Sequence, residues 1–227
     1  MDFIERKIYY FKYCGEANTR KVLEIIKLRC VELGPKTLIM ASETGKSAIE
    51  ALNTFKGTDI KMIAVTHYPA KTWGPKGDIP IGLKRKEYAA NLRKLEASGV
   101  RVVQGTRPFA PPSRALNWNL TLEAILDKTL ELFGAGTKIA IEAAVMATDA
   151  GEVEEGEEVV SCAGTFKGLD TALIVKTAYS INFFKKFEVR EIIAKPICRV
   201  KEFPEYKYEN WKGDLDKYYE QIRDGGI

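Results

Sequence analysis

The chain has 227 residues, 45% hydrophobic and 29% charged, and carries a net charge of +4 with a pI near 8.7. This is the composition of a soluble globular protein long enough to bury a full core, and its mild basicity falls short of a clustered nucleic-acid-binding face. One histidine and four cysteines without C-x-x-C spacing exclude the usual zinc sites, a disulfide framework is not expected, and no apolar run is long enough to span a membrane.

In chain order, Met1 to Lys7 lacks the apolar core of a signal peptide, so the sequence predicts reduced thiols and a cytoplasmic location. Ile8 to Phe11 reads as a first strand. Asn18 or Thr19 then caps a helix whose inner face carries Val22, Ile25, Ile26, Cys30 and Leu33, and Gly34-Pro35 stops it. Thr37 to Met40 is an apolar strand, followed by a hydroxyl-rich turn and a helix through Leu52. A third strand, Ile60 to Thr66, ends at His67. Residues 67 to 82 read as a long loop with three prolines and Trp73. A helix from about Lys84 to Ala97, a strand from Val100 to Gln104 and a second proline-rich loop through Trp118 come next. The helix from Leu120 to Phe133 has an apolar stripe of Leu122, Ile125, Leu126, Leu130 and Phe133, with Gly134 as its C-terminal cap. Residues 137 to 149 start like a strand, but the alanine-rich continuation favours a buried helix closed by Gly151.

Three strand-like runs follow: Glu158 to Ala163, Thr171 to Lys176 and Val189 to Ala194, spaced closely enough to suggest antiparallel additions. Alternating strands and helices imply βαβ crossovers. The expected fold is α/β, a three-layer α/β/α sandwich with a mainly parallel sheet and antiparallel additions near the C-terminus. Residues 1–200 form the domain. Residues 201–227, charged and aromatic, form an arm that packs on its own domain or on a partner subunit, which leaves a homo-oligomer open.

The most telling stretch joins the second strand to its helix: Ser42-Glu43-Thr44-Gly45-Lys46-Ser47-Ala48. A helix N-terminus has unpaired N–H groups and partial positive charge, and it receives phosphate well. Ser42, Thr44 and Ser47 add hydroxyls, Gly45 permits a tight turn and Lys46 adds a charge. These residues point to a phosphorylated small molecule, with no role for nucleic acid or membrane. The same residues also fit a plain helix start, with Thr44 or Ser42 as N-cap and Ser47-Ala48-Ile49-Glu50 as a capping box. A Walker A loop is disfavoured, because Met40 stands where its first glycine belongs. Neither a G-x-S-x-G elbow nor a G-x-G-x-x-G turn is present, and no catalytic constellation declares itself.

Four blocks resemble the C-terminal α/β domain of pyruvate kinase and, more closely, an archaeal family of stand-alone proteins related to it. They are Asn18-Thr19; the 42–48 turn with Ile63-Ala64-Val65-Thr66; Glu142 to Gly151; and Gly156 to Val160 with Gly164-Thr165 and Gly168-Leu169-Asp170-Thr171-Ala172. The resemblance covers roughly residues 8 to 196, and Cys14-Gly15 departs from the family's usual proline-glycine. It does not imply pyruvate kinase activity, since a (β/α)₈ barrel alone takes about 250 residues. It implies an effector-type pocket holding flavin mononucleotide (FMN): the phosphate on Ser42, Glu43, Thr44, Gly45, Lys46 and Ser47, and the segment Gly164, Thr165, Gly168, Asp170 and Thr171 closing over the ligand. Thr66, His67, Asn18 and Glu142 complete the candidate set. The plain alternatives are a hydrogen-bonded structural role for His67, an Asx turn at Asp170, a cap at Asn18 and a backbone contact for Glu142. Trp73, Phe109, Trp118 and Phe166 have aromatic rings near these loops, although aromatics mostly pack. A binding or sensing protein, a flavin-dependent oxidoreductase and a sugar-phosphate enzyme all remain open, because a flavin does its own hard chemistry.

Overall fold

A computed structural model describes residues 3–72, 79–109 and 121–198; Trp73, Trp118 and the 201–227 arm lie outside them. The protein is mixed α/β with a mostly parallel central sheet. Its elements are β1 (Tyr9–Phe11), α1 (Thr19–Leu33), β2 (Thr37–Ala41), α2 (Lys46–Thr54), β3 (Lys61–His67), β4 (Ala70–Thr72), β5 (Ile79–Ile81), α3 (Ala89–Ala97) and β6 (Arg101–Gly105). After these come α4 (Leu122–Glu131), α5 (Ala135–Asp149), β7 (Glu158–Ala163), β8 (Thr171–Lys176), α6 (Phe183–Lys186) and β9 (Glu188–Pro196). The seven-stranded sheet has the order β1-β9-β8-β7-β2-β3-β6.

Strand β2 is buried on both faces, which is why its sequence is a continuous apolar run with no alternation. Leu38 and Met40 pack with Val22, Ile26, Ala48 and Ala51 beneath α1 and α2. Ile39 points the other way, to Ala140, Ala144 and Leu173 beneath α5. Each such fully buried Leu or Ile stabilises the fold by about 1.5–3 kcal/mol. Helix α5 is buried along most of its length because its small alanines let it lie close to the sheet.

Several expectations need correction. Among the last three strands only β8 runs against its neighbours, since β7 pairs parallel with β2 and β9 parallel with β1. Part of the 67–82 loop is a ribbon in which β4 and β5 pair antiparallel. Asn18 holds the N-cap position of α1 but its side chain makes no capping bond; its amide donates to the Tyr13 carbonyl at 2.8 Å, while Thr19 Oγ1 accepts the Leu169 N–H at 3.0 Å. Gly134 precedes α5 as its N-cap and does not close α4. The apolar stripe of α4 is not its buried side: Leu122 and Ile125 are exposed, and Ala124 and Asp127 face inward. Asp127 Oδ2 accepts from Lys138 Nζ of α5 at 3.1 Å, so the side of α4 turned to α5 carries an ion pair in place of the apolar stripe.

This topology puts several loops at one edge. β1, β2, β3, β6, β7 and β9 all point the same way, so residues 12–18, 42–45 and 106–109 leave the sheet at its carboxyl edge. The β7–β8 hairpin brings residues 164–170 to the same edge. Successive strands step from β2 to β3 to β6, and β7 then returns to the opposite side of β2. The order reverses between β2 and β7, and at such switch points open α/β sheets form a crevice.

Candidate ligand-binding site

A cavity of about 560 Å³ lies at this edge, within the range of small-molecule sites. The 42–47 turn supplies Ser42, Glu43, Thr44, Lys46 and Ser47, β3 supplies His67, and the β7–β8 loop supplies Gly164, Phe166, Lys167 and Gly168. Of the candidates named from sequence, Gly45, Thr66, Thr165, Asp170, Thr171, Asn18 and Glu142 do not line it.

The turn is built by its own side chains. Gly45 takes the left-handed conformation (φ 83°) and is the N-cap of α2, so Ser47 lies inside the first turn and no capping box starts there. Ser42 Oγ accepts the Ser47 hydroxyl at 2.9 Å and the Ala48 N–H at 3.3 Å, doing a cap's work from three residues before Gly45. A hydroxyl that accepts twice still has its proton to donate. Asn91 Nδ2 donates to the Thr44 carbonyl at 2.8 Å and ties the turn to α3. A Cβ on Gly45 would stand 2.8 Å from Leu83 Cδ1 and 2.9 Å from Asn91 Cβ. Valine there would therefore disturb the fold as well as the site. Lys46, exposed at the rim, bonds Glu16 Oε1 at 2.5 Å, and that contact, partly offset by desolvation, raises its pKa.

Glu43 turns away from solvent to β3. Its Oε2 accepts the Thr66 hydroxyl at 2.8 Å and the His67 N–H at 3.1 Å, and its Oε1 bonds His67 Nδ1. Thr66 Oγ1 in turn accepts the Leu83 N–H at 3.1 Å. Burial alone would raise the Glu43 carboxyl, but the His67 and Thr66 bonds hold it below its ordinary value of 4.5. An ionised Glu43 can only accept, so His67 Nδ1 is the donor in this bond. A depressed native pKa contributes stability that is complete above the ordinary glutamate range and lost as pH falls through the native value. Glu43→Gln should therefore flatten the acid side of the Tm-against-pH curve. Parallel acid limbs for the two proteins would refute this coupling.

The glycines of the β7–β8 loop serve the protein's own packing. A Cβ at Gly164 would meet the Gly168 carbonyl oxygen at 2.1 Å, and one at Gly168 would meet Thr19 Oγ1 at 2.4 Å and Glu16 Cα at 2.5 Å. Between them Phe166 has φ 76°, the single positive-φ residue other than glycine among those described, a conformation that costs about 1–2 kcal/mol and sets its ring at the cavity. Asp170, fully buried, locks the loop's far end: Oδ2 accepts the N–H groups of Gly15 at 2.7 Å and Thr165 at 2.9 Å, and Oδ1 accepts the Thr171 hydroxyl at 2.8 Å.

Sequence reasoning missed Arg107 and Lys138. Arg107 Nη1 pairs with Glu142 Oε2 at 3.0 Å, while Glu142 Oε1 accepts the Phe109 N–H at 3.2 Å. Phe109 itself packs on Phe183, with ring centroids 5.0 Å apart. Lys138 bonds Asp127 and lies 3.5 Å from Glu131. Burial pushes the Glu142 carboxyl up although Arg107 opposes it. The only sequence signal was an acid and a lysine inside otherwise apolar helices. With Lys46, Arg107, Lys138 and Lys167 set against Glu16, Glu43 and Glu50, the cavity is nearly neutral, so any anion would be held by directed donors and not by bulk charge.

No disulfide joins the four cysteines, and burial raises Cys30 to about 11. Among the described residues no cluster of metal-ligating side chains occurs and no helix is long and apolar enough to cross a membrane. No protein-family model matches the chain.

Proposed function

We propose that this protein binds a phosphorylated small molecule, FMN above others, in the cavity at the β2–β7 switch point, and that it does so without pyruvate kinase activity. The observation that carries the reading is that Ser42, Glu43, Thr44, Lys46 and Ser47 of the 42–47 turn line a cavity of about 560 Å³. The phosphate would sit on Ser42, Thr44, Ser47 and the first amides of α2, where the helix dipole favours negative charge. Ile79, Ile81, Ile139 and Phe166 offer apolar surface for a ring. The identity of the ring rests on the motif resemblance to the stand-alone relatives of the pyruvate kinase C-terminal domain.

Lys46→Glu tests the anion end. The new carboxylate would join Glu16 and Glu50 at the rim and remove a charge-assisted bond of about 1.5–3 kcal/mol, so FMN affinity should fall tenfold or more. Calorimetric titration checks this, and an unchanged affinity would leave the turn as a helix start only. A protein stabilised by fructose bisphosphate but not by FMN would overturn the flavin assignment.

One observation favours a catalytic reading: His67, held by Glu43, lines the same cavity, and a carboxylate-oriented imidazole is suited to general acid–base work. Turnover of a sugar phosphate would establish that reading, and rapid reduction of bound flavin by NAD(P)H with turnover would establish an oxidoreductase. FMN binding without either supports a sensor.

A further inference from the structure

Arg107 is 6% exposed, lines the cavity, and spends one donor, Nη1, on Glu142. Its Nε is buried with no hydrogen-bond partner among the described residues. A guanidinium has five N–H donors in a fixed fork, and one buried without an acceptor has given up its water for nothing in return. Lys138 is different, because Asp127 and Glu131 already satisfy it. The under-bonded group beside the cavity is therefore Arg107.

Its position and surroundings limit what it can receive. Arg107 follows β6, two strands from β2, and with strands about 4.8 Å apart it stands roughly 10 Å across the sheet edge from the 42–47 turn. The charge around it is already matched, with Arg107 paired to Glu142, Lys138 to Asp127 and Lys128 to Glu131. A second anion would add an unmatched buried charge to these pairs, whereas a neutral carbonyl oxygen would not. The apolar Ile79, Ile81, Ile139 and Phe166 share the cavity and suit a flat ring.

We propose that Arg107 reads the uncharged carbonyl edge of a planar heterocycle at the end of the ligand remote from its phosphate. The inference rests on the phosphate-binding reading above and narrows it to ligands with two unlike poles, a phosphoryl group and a ring bearing carbonyl acceptors.

The experiment compares wild type with Arg107→Lys, which keeps a cation for Glu142 but lacks the planar fork. FMN, riboflavin and ribose 5-phosphate are each titrated by calorimetry, and the unliganded Tm of both proteins is recorded. Arg107→Lys should weaken FMN and riboflavin alike, by about ten- to a hundredfold, and leave ribose 5-phosphate unchanged. If Arg107→Lys melts early, the Arg107→Gln, Glu142→Gln pair, which leaves no buried charge unmatched, takes its place with the same expectation. FMN bound equally by wild type and variant overturns the assignment of Arg107 alone, as does an equal loss for ribose 5-phosphate. Wild-type protein that binds none of the three overturns the functional reading together with this inference.

Discussion

Asp170→Ala is expected to destabilise the protein by about 2–6 kcal/mol, because it strands two buried amides at about 1–3 kcal/mol each. Those amides, of Gly15 and Thr165, belong to the loops after β1 and after β7, so the Asp170 carboxylate ties its own loop to a residue 155 positions away. Asp170→Asn should be far milder: the amide oxygen can accept both N–H groups, and its nitrogen can donate to Thr171 Oγ1 once that hydroxyl turns. Burial also pushes the Asp170 carboxyl above its ordinary 3.8 against the bonds from Thr165, Gly15 and Thr171. With the native value raised, the folded state holds the proton more tightly than the unfolded chain. Stability then declines as pH rises from the ordinary aspartate range through the raised value. Wild type should therefore lose ground to Asp170→Asn over that interval. Urea melts across pH measure both effects, and an alanine variant as stable as wild type would show that the loops are held by other contacts.

Glu142→Ala should cost about 3–5 kcal/mol, the usual penalty when one partner of a buried ion pair is removed. Arg107 would be left buried beside an apolar gap, and the Phe109 N–H would lose its acceptor. Removing the charge on both sides, by Arg107→Met with Glu142→Leu, should recover most of that loss, since well-packed apolar replacements of buried pairs are often neutral. The thermodynamic cycle separates the cost of a stranded cation from the value of the pair. If the double variant is no more stable than Glu142→Ala, the Phe109 amide carries the penalty and the ion pair does not.

These two side chains also mark where local sequence stops being informative. Ser42, Gly45 and Lys46 lie within one short turn between an apolar run and a helix, so their conjunction is visible in order along the chain. Helix α1, with Val22, Ile25 and Ile26 at helical spacing and Gly34 at its end, is legible in the same way. Arg107 carries no such signal. It stands in a loop 35 residues from Glu142, and its isolation from solvent depends on α5 lying against the sheet. In α4 the periodic leucines point to one face, but the buried Asp127–Lys138 contact turns another inward. The Glu43–His67 bond spans 24 residues and exists because β2 and β3 pair in register, with Ala41 beside Val65.

Periodicity, turn chemistry and the alternation of strand with helix were enough to determine the α/β class, most element positions and the hydroxyl-rich turn. Each depends on neighbours within a few residues, where backbone geometry alone relates the side chains. The reversal of strand order beside β2, the antiparallel setting of β8 alone, and the meeting of Arg107, His67 and the β7–β8 loop around one cavity were decided only by the tertiary structure. Those relations arise from packing between segments far apart in the chain, and no local pattern of residues encodes the distance between them.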